Sequence, residues 1–185
     1  YTDMELPLAS VLYEMEHEGF RVDRGILKQL QTQFNEQSEM LANQIYESTG
    51  ETFNILSPKQ LGEVLFEKLG LPTGRKNKSG FSTDAETLDA LLDKHPAIPM
   101  IQEYRFITKL KSTFVDGLLN GVSDENDRVR TQFNQCVTAT GRISSTEPNM
   151  QNIPVRTQQG REIRKAFVAS EGNVLVDADY SQIEL

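Results

Sequence analysis

The residues with the clearest chemical potential lie at the end of the sequence, in Val174-Leu175-Val176-Asp177-Ala178-Asp179-Tyr180-Ser181-Gln182-Ile183-Glu184-Leu185. An apolar, β-branched run bounded upstream by Gly172-Asn173 predicts a buried strand, with Asp179 at its carboxyl end before a turn into a helix. A strand that stops on an Asp presents an oxygen ligand at a sheet edge, and oxygen ligands suit a hard cation such as Mg²⁺. The alternative is that Asp179 merely caps the helix that follows.

Charge supplies a second set of candidates. The 185 residues carry a net charge of −8, which taken globally argues against a polyanionic partner. Resolved by segment, residues 1–73 hold 5 basic and 12 acidic side chains, and residues 74–127 hold 7 and 9. Residues 128–168 hold 7 basic and 2 acidic, and residues 169–185 hold 0 and 4. The basic segment contains Arg128, Arg130, Arg142, Arg156, Arg161, Arg164 and Lys165 and leads directly into the acidic end. A basic groove beside an acidic metal site is what nucleotidyl transfer requires.

Three further groups have the right chemistry for nucleic acid. Pro148-Asn149-Met150-Gln151-Asn152-Ile153-Pro154-Val155-Arg156 holds two prolines and three carboxamides and so predicts a loop. With Arg142 it is suited to the minor groove, where every base pair offers acceptors in similar places; the competing reading is a structural loop closed by its own caps. Arg75, Lys76 and Lys78 lie in a turn-rich stretch without apolar side chains, either a phosphate-touching tip or a solvated connection. Arg105, Thr108, Lys109, Lys111, Ser112 and Thr113 form the polar face of a predicted helix.

The seven residues Asp179-Tyr180-Ser181-Gln182-Ile183-Glu184-Leu185 resemble the first catalytic motif of the family A DNA polymerases, and Lys109-Leu110-Lys111-Ser112-Thr113 resembles that family's thumb. The resemblance covers essentially the whole chain and is strongest from Lys109 to Leu185; Met150 stands where Leu is more familiar. It implies an α+β fold: an N-terminal helix in 1–20 packed on the palm, a helical DNA-gripping thumb in 21–125, and the first, incomplete part of the palm in 126–185. It implies DNA-directed DNA synthesis in replication and repair, by two-metal-ion transfer to a primer 3′-hydroxyl.

By the same resemblance Asp179 is a ligand to both magnesium ions and the Tyr180 carbonyl helps hold one of them. Glu184 excludes a ribose 2′-hydroxyl, and Gln182 lies beside the nascent base pair. Arg142, Asn149, Gln151 and Asn152 hold primer terminus and template, while Arg105, Lys109, Lys111, Ser112 and Thr113 grip the duplex through phosphates. The implied partners are primer–template DNA, a dNTP, and the family's fingers and remaining palm, in a bacterial cytoplasm at the nucleoid. Ending inside this motif, before the fingers helix and the second palm carboxylate, the chain is expected not to polymerise alone. Residues after Gly121 are expected to be locally disordered or to self-associate through exposed palm strands. Two readings from other classes stand beside this one: a non-catalytic duplex-binding module, and a helical protein-interaction scaffold.

The elements that must position these residues are mainly helical up to an acidic linker at Gly121–Asp127. Leu6, Leu8, Val11, Leu12 and Met15 predict a helix capped by Asp3 and stopped at Gly19. Asp23 should cap a long second helix with Leu27, Leu30, Phe34, Leu41 and Ile45 inward. Ser57 with Gln60, and Thr83 with Glu86, have the spacing of capping boxes. Leu88, Leu91 and Leu92 form the next buried stripe, ended by His95-Pro96, and Ile98, Ile101, Tyr104/Arg105, Leu110, Phe114 and Leu118 the inward stripe of a further helix. Strands are expected over 128–133, 166–168 and 174–176, with a short helix over Gln158–Arg164. The single cysteine, Cys136, excludes an internal disulfide and is expected to be a buried small hydrophobe. No apolar run approaches the ~20 residues of a membrane span.

Overall fold

The computed structural model describes residues 1–72, 80–123 and 125–180, together with the backbone of 76–77. The chain divides into two compact units, one formed by 1–30 with 114–185 and the other by 31–113. Helices and small antiparallel sheets make up both, an α+β fold as the sequence predicts.

Helix α2 (Arg24–Thr49), most of which belongs to the unit formed by 31–113, begins with its predicted cap. The Asp23 carboxylate accepts from the backbone N–H groups of Gly25 and Ile26 at 2.8 and 3.1 Å. Leu27, Leu30, Phe34, Leu41 and Ile45 are all buried along it. Helix α3 (Pro58–Gly62) continues into a π-helical turn, Glu63–Lys68. The Ser57 hydroxyl caps α3 by accepting from the Gln60 N–H, but the reciprocal half of the box is not made. Gln60 turns instead to accept from the Asn54 N–H at 2.7 Å, closing the preceding turn.

Strands β2 (Lys76–Asn77) and β3 (Gly80–Phe81) form a two-stranded antiparallel sheet. Helix α4 (Ala85–Asp89) is capped one residue later than the sequence suggests. Asp84 accepts from the Thr87 N–H at 2.9 Å, leaving Thr83 buried and free for another bond. Leu88 and Leu91 are buried while Leu92 is exposed, because the helix ends at Asp89 and the turns after it rotate Leu92 outward. Helix α5 (Ala97–Leu110), a π-helical turn (Lys111–Val115) and helix α6 (Asp116–Gly121) follow without a break. Ile45, Ile55, Leu61, Leu65, Phe66, Leu88, Ile98 and Ile101 pack as one apolar core of this unit.

In the other unit, helix α1 (Glu5–Glu18) begins without a side-chain cap, so Asp3 does not play that part; the Tyr1 carbonyl accepts from the N–H groups of Glu5 and Leu6. Of the apolar stripe only Leu12 is buried, and Leu6, Val11 and Met15 are exposed. Gly19 ends α1 at φ +64°, and a Cβ there would lie 2.6 Å from the Val129 carbonyl oxygen, so both the turn and the close approach require glycine. Strand β1 (Phe20–Arg21) pairs antiparallel with β4 (Arg128–Val129).

The predicted strand over 128–133 is divided. It breaks at Arg130-Thr131, and β5 (Gln132–Asn134) pairs with β6 (Ser144–Thr146), a strand whose Ser-Ser-Thr sequence carries no apolar alternation to announce it. At the acidic linker the Ser123 N–H donates to the Arg128 carbonyl at 2.9 Å and the Asp127 N–H to the Ser123 carbonyl at 3.1 Å. Helix α7 (Gln158–Arg164) is capped by Thr157. The strand expected over 166–168 is reduced to one bridge between Val22 and Phe167. Cys136 is exposed rather than buried, because it lies in the open stretch after β5.

The strand expected over 174–176 is not formed. Residues 173–180 have no regular structure, and Val174, Leu175 and Val176 are 80%, 54% and 85% exposed. A strand is made by hydrogen bonds to a neighbouring strand, and no strand pairs with this run among the described residues.

Candidate nucleic-acid interface

Helix α5 and the π-helical turn after it carry the polar face predicted from sequence. Lys109, Ser112 and Thr113 are exposed on it, and Thr108 and Lys111 are half-buried. Two hydroxyls bond back to the helix: Thr108 donates to the Tyr104 carbonyl at 2.6 Å and Ser112 to the Lys109 carbonyl at 3.3 Å. A hydroxyl so placed still offers its lone pairs and can turn outward to a phosphate oxygen.

Arg105 is differently placed. Its guanidinium donates to the Thr83 carbonyl, to the Thr83 hydroxyl and to the Ile55 carbonyl. Burial lowers its pKa from the ordinary guanidinium value, yet arginine stays charged at neutral pH. Arg75 and Lys78 of the expected basic tip lie outside the described residues, and of Lys76 the structure describes the backbone alone.

The carboxamide loop is pinned onto the β5–β6 hairpin by its own amides. Gln151 accepts from the Ser145 N–H at 3.1 Å and donates to the Ile143 carbonyl at 3.0 Å, so both ends of its amide serve the loop. Asn149 accepts from the Gln151 N–H at 3.0 Å, an Asx turn. Buried Ser145 accepts from the Met150 N–H at 3.1 Å, and the Thr131 hydroxyl lies within hydrogen-bond distance of the Thr146 and Pro148 carbonyls. Gln151 and Asn152 are both exposed on this scaffold, as is Arg142 on the stretch before β6, and of the two amides Asn152's is the one not spent on the loop. Rigid placement of a few exposed donors is what minor-groove recognition without sequence selection needs.

The seven cations of 128–168 divide into two groups. Arg128 donates to the Glu18 and Gly19 carbonyls at 3.2 and 3.0 Å and to the Ser170 hydroxyl at 3.0 Å, and pairs with the Glu18 carboxylate at 2.8 Å. Arg130 donates to the His17 carbonyl at 2.8 Å, and Lys165 pairs with Glu162 at 2.7 Å. Arg128 and Arg130 tie distant segments of the fold together, whereas the Lys165 pair is a local surface contact. Arg142, Arg156, Arg161 and Arg164 remain exposed on the surface of the same unit. Arg128 counts in the sequence only as one more positive charge. Its role depends on carbonyls more than a hundred positions away, for which no local pattern exists.

Asp177, Asp179 and Tyr180 are exposed on the segment without regular structure. Asp177 shares with Arg164, Met150, Ile153, Phe167 and Val174 the lining of a cavity of about 510 Å³, so this segment runs beside the carboxamide loop. Gln182 and Glu184 lie outside the described residues. Among the described residues no three His, Cys, Asp or Glu side chains come together as a metal site. No described helix is long and apolar enough to cross a membrane.

The family model described as DNA polymerase family A matches residues 24–185. The chain is 52% identical over 185 residues to DNA polymerase I of Caldicellulosiruptor bescii, covering 100% of this chain and 22% of that protein. It is 50% identical over 186 residues to DNA polymerase I of Bacillus subtilis, covering 100% of this chain and 21% of the relative. It therefore spans about a fifth of the length of these curated relatives. The solved POL domain of Pol1 from M. smegmatis, in complex with DNA primer-template and dNTP, superposes with a TM-score of 0.90 at 49% identity. That match covers 98% of this chain and 32% of the solved one. With a family model over most of its length and an α+β fold to match, the chain belongs to DNA polymerase family A.

Proposed function

We propose that this chain is the duplex-gripping and motif-bearing part of a DNA-directed DNA polymerase that extends a primer 3′-hydroxyl with dNTPs, in the bacterial cytoplasm. The observation that carries the reading is that one compact unit holds exposed Arg142 and Asn152 on a pinned hairpin and loop, and beside that loop the segment with Asp177 and Asp179. Residues 21–125 would be the thumb, 126–185 the first part of the palm, and 1–20 a helix packed on it.

In this reading Lys109, Lys111, Ser112 and Thr113, with the basic stretch at Arg75, Lys76 and Lys78, neutralise and bind backbone phosphates without reading sequence. Arg142, Asn149 and Asn152 lie against the minor-groove edges near the primer terminus, where a mispair would displace the acceptors they meet. Gln151 contributes by holding that loop in shape. Glu184 sits where a ribose 2′-hydroxyl would collide with it, and Gln182 beside the new base pair. Asp179 and the Tyr180 carbonyl offer oxygen ligands of the kind magnesium takes. The described residues do not complete such a site, so the remaining ligands must come from outside them and no step through the ion is assigned to this chain. The chain alone is expected not to incorporate nucleotides; template-directed extension by the purified chain would refute that.

The test is fluorescence anisotropy of a labelled primer–template duplex titrated with the chain at several salt concentrations, with Arg142→Ala and Lys109→Ala alongside. Binding should weaken steeply with salt; Lys109→Ala should flatten the log–log slope by about 0.9, one phosphate's worth of released counterion, and Arg142→Ala should lower affinity by removing minor-groove contacts. Absence of binding at low salt would instead favour the protein-interaction scaffold. Salt-sensitive binding with no change when Asp179→Asn is placed in the full-length polymerase would favour the non-catalytic duplex-binding module.

A further inference from the structure

Arg105 stands on the helix whose polar face the duplex reading uses, yet its guanidinium is committed to the protein. One Nη donates to the Thr83 carbonyl; the other donates to the Thr83 hydroxyl at 3.2 Å and to the Ile55 carbonyl at 3.5 Å. Thr83 and Ile55 are buried, 4% and 1% exposed. Their positions in the chain give these bonds consequence. Thr83 follows β3 by two residues and precedes Asp84, the cap of α4. Ile55 lies two residues before Ser57, the cap of α3. Arg105 itself is one helical turn from Lys109 on α5.

A planar fork reaching acceptors on two chain segments fixes distance and direction together, which a lysine, with one compact charge on a flexible stem, does not. Because the acceptors are buried, any that loses its donor has no water to replace it. We propose that Arg105 is a positioning residue: it fastens the base of the β2–β3 hairpin, and the starts of α3 and α4, to helix α5. It thereby holds the face of α5 that carries Lys109, through which this unit meets the phosphate backbone in the duplex-binding reading. The functional half of this inference rests on the duplex-binding reading; the brace itself does not.

Arg105→Lys and Arg105→Ala in the same chain, beside Lys109→Ala, separate the possibilities by two measurements. The first is amide hydrogen exchange at residues 55–57 and 81–87, and the second is duplex anisotropy across a salt series. Both Arg105 variants should exchange about 10-fold faster at those amides. Both should bind the duplex about 10-fold more weakly at an unchanged salt slope, whereas Lys109→Ala lowers the slope by about 0.9. If Arg105→Lys keeps full affinity while Arg105→Ala flattens the slope, Arg105 is an ordinary phosphate contact and the proposal falls. Unchanged exchange in both variants removes the brace. A lowered Tm with duplex affinity intact at a temperature where the variants are folded reduces Arg105 to stability alone. Should Arg105→Ala fail to fold, Arg105→Lys carries both readouts. If the unaltered chain does not bind the duplex, the binding reading fails and hydrogen exchange alone decides the brace.

Discussion

Among the carboxamides of the 149–152 loop, chemistry that looks equivalent in sequence divides by what each side chain touches. Gln151 spends both ends of its amide on the backbone of Ile143 and Ser145, whereas Asn152 points its amide to solvent without a partner among the described residues. Gln151→Ala should therefore cost about 1 kcal/mol of folding stability in urea denaturation and weaken duplex binding indirectly. Asn152→Ala should change stability by less than about 0.5 kcal/mol while weakening the duplex complex. Equal stabilities for the two variants would contradict the division. What decides which amide is structural is what stands opposite it: the Ser145 N–H and Ile143 carbonyl for Gln151, solvent for Asn152.

At the scale of elements, caps and close approaches determine where the site's supports begin and end. Helix α7 carries exposed Arg161 and Arg164 and packs so closely on the carboxamide loop that a Cβ on Gly160 would lie 2.1 Å from the Pro154 carbonyl oxygen. The clash is with backbone and cannot be relieved by a rotamer change. Gly160→Ala should destabilise the chain by about 1–3 kcal/mol by forcing α7 and the loop apart, measured as a lowered urea midpoint. A midpoint within error of the original would show that the loop yields freely. Asp84→Ala, which removes the cap of α4, should cost about 1 kcal/mol, while an unchanged midpoint would return the cap to Thr83. The shift of that cap by one residue is what leaves the Thr83 hydroxyl to Arg105.

At the scale of the whole molecule, charge and exposure set behaviour that no single element shows. A chain of net charge −8 can hold a polyanion only through local basic surface, so raising salt should abolish binding rather than modulate it. If 6–10 phosphates are contacted, affinity should fall about 10³–10⁵-fold between 50 and 200 mM salt. The apolar run Val174–Val176 lies open to solvent without a strand partner among the described residues. Its amides should exchange at nearly free-peptide rates while those of the buried stripe of α2 are strongly protected. The same run should drive concentration-dependent association in light scattering, which Val176→Asp should reduce; scattering independent of concentration would remove that expectation.

The sequence by itself determined the family, the α+β class, the long helices and the caps at Asp23 and Ser57, because these depend on residues within a few positions of one another. It also marked the basic segment and the acidic end, since charge is a property of composition. Tertiary structure alone decided which of the seven cations hold the fold and which remain exposed. It decided too that Arg105, which the sequence places on both the inward and the polar face of its helix, meets Thr83 and Ile55, and that Gln151 is a strut. A bond is settled by what stands opposite it, and those acceptors lie up to 110 residues away. The strand expected at Val174–Val176 shows the same limit from the other side. Its β-branched side chains state a preference, but a strand exists only where another backbone is present to receive its hydrogen bonds.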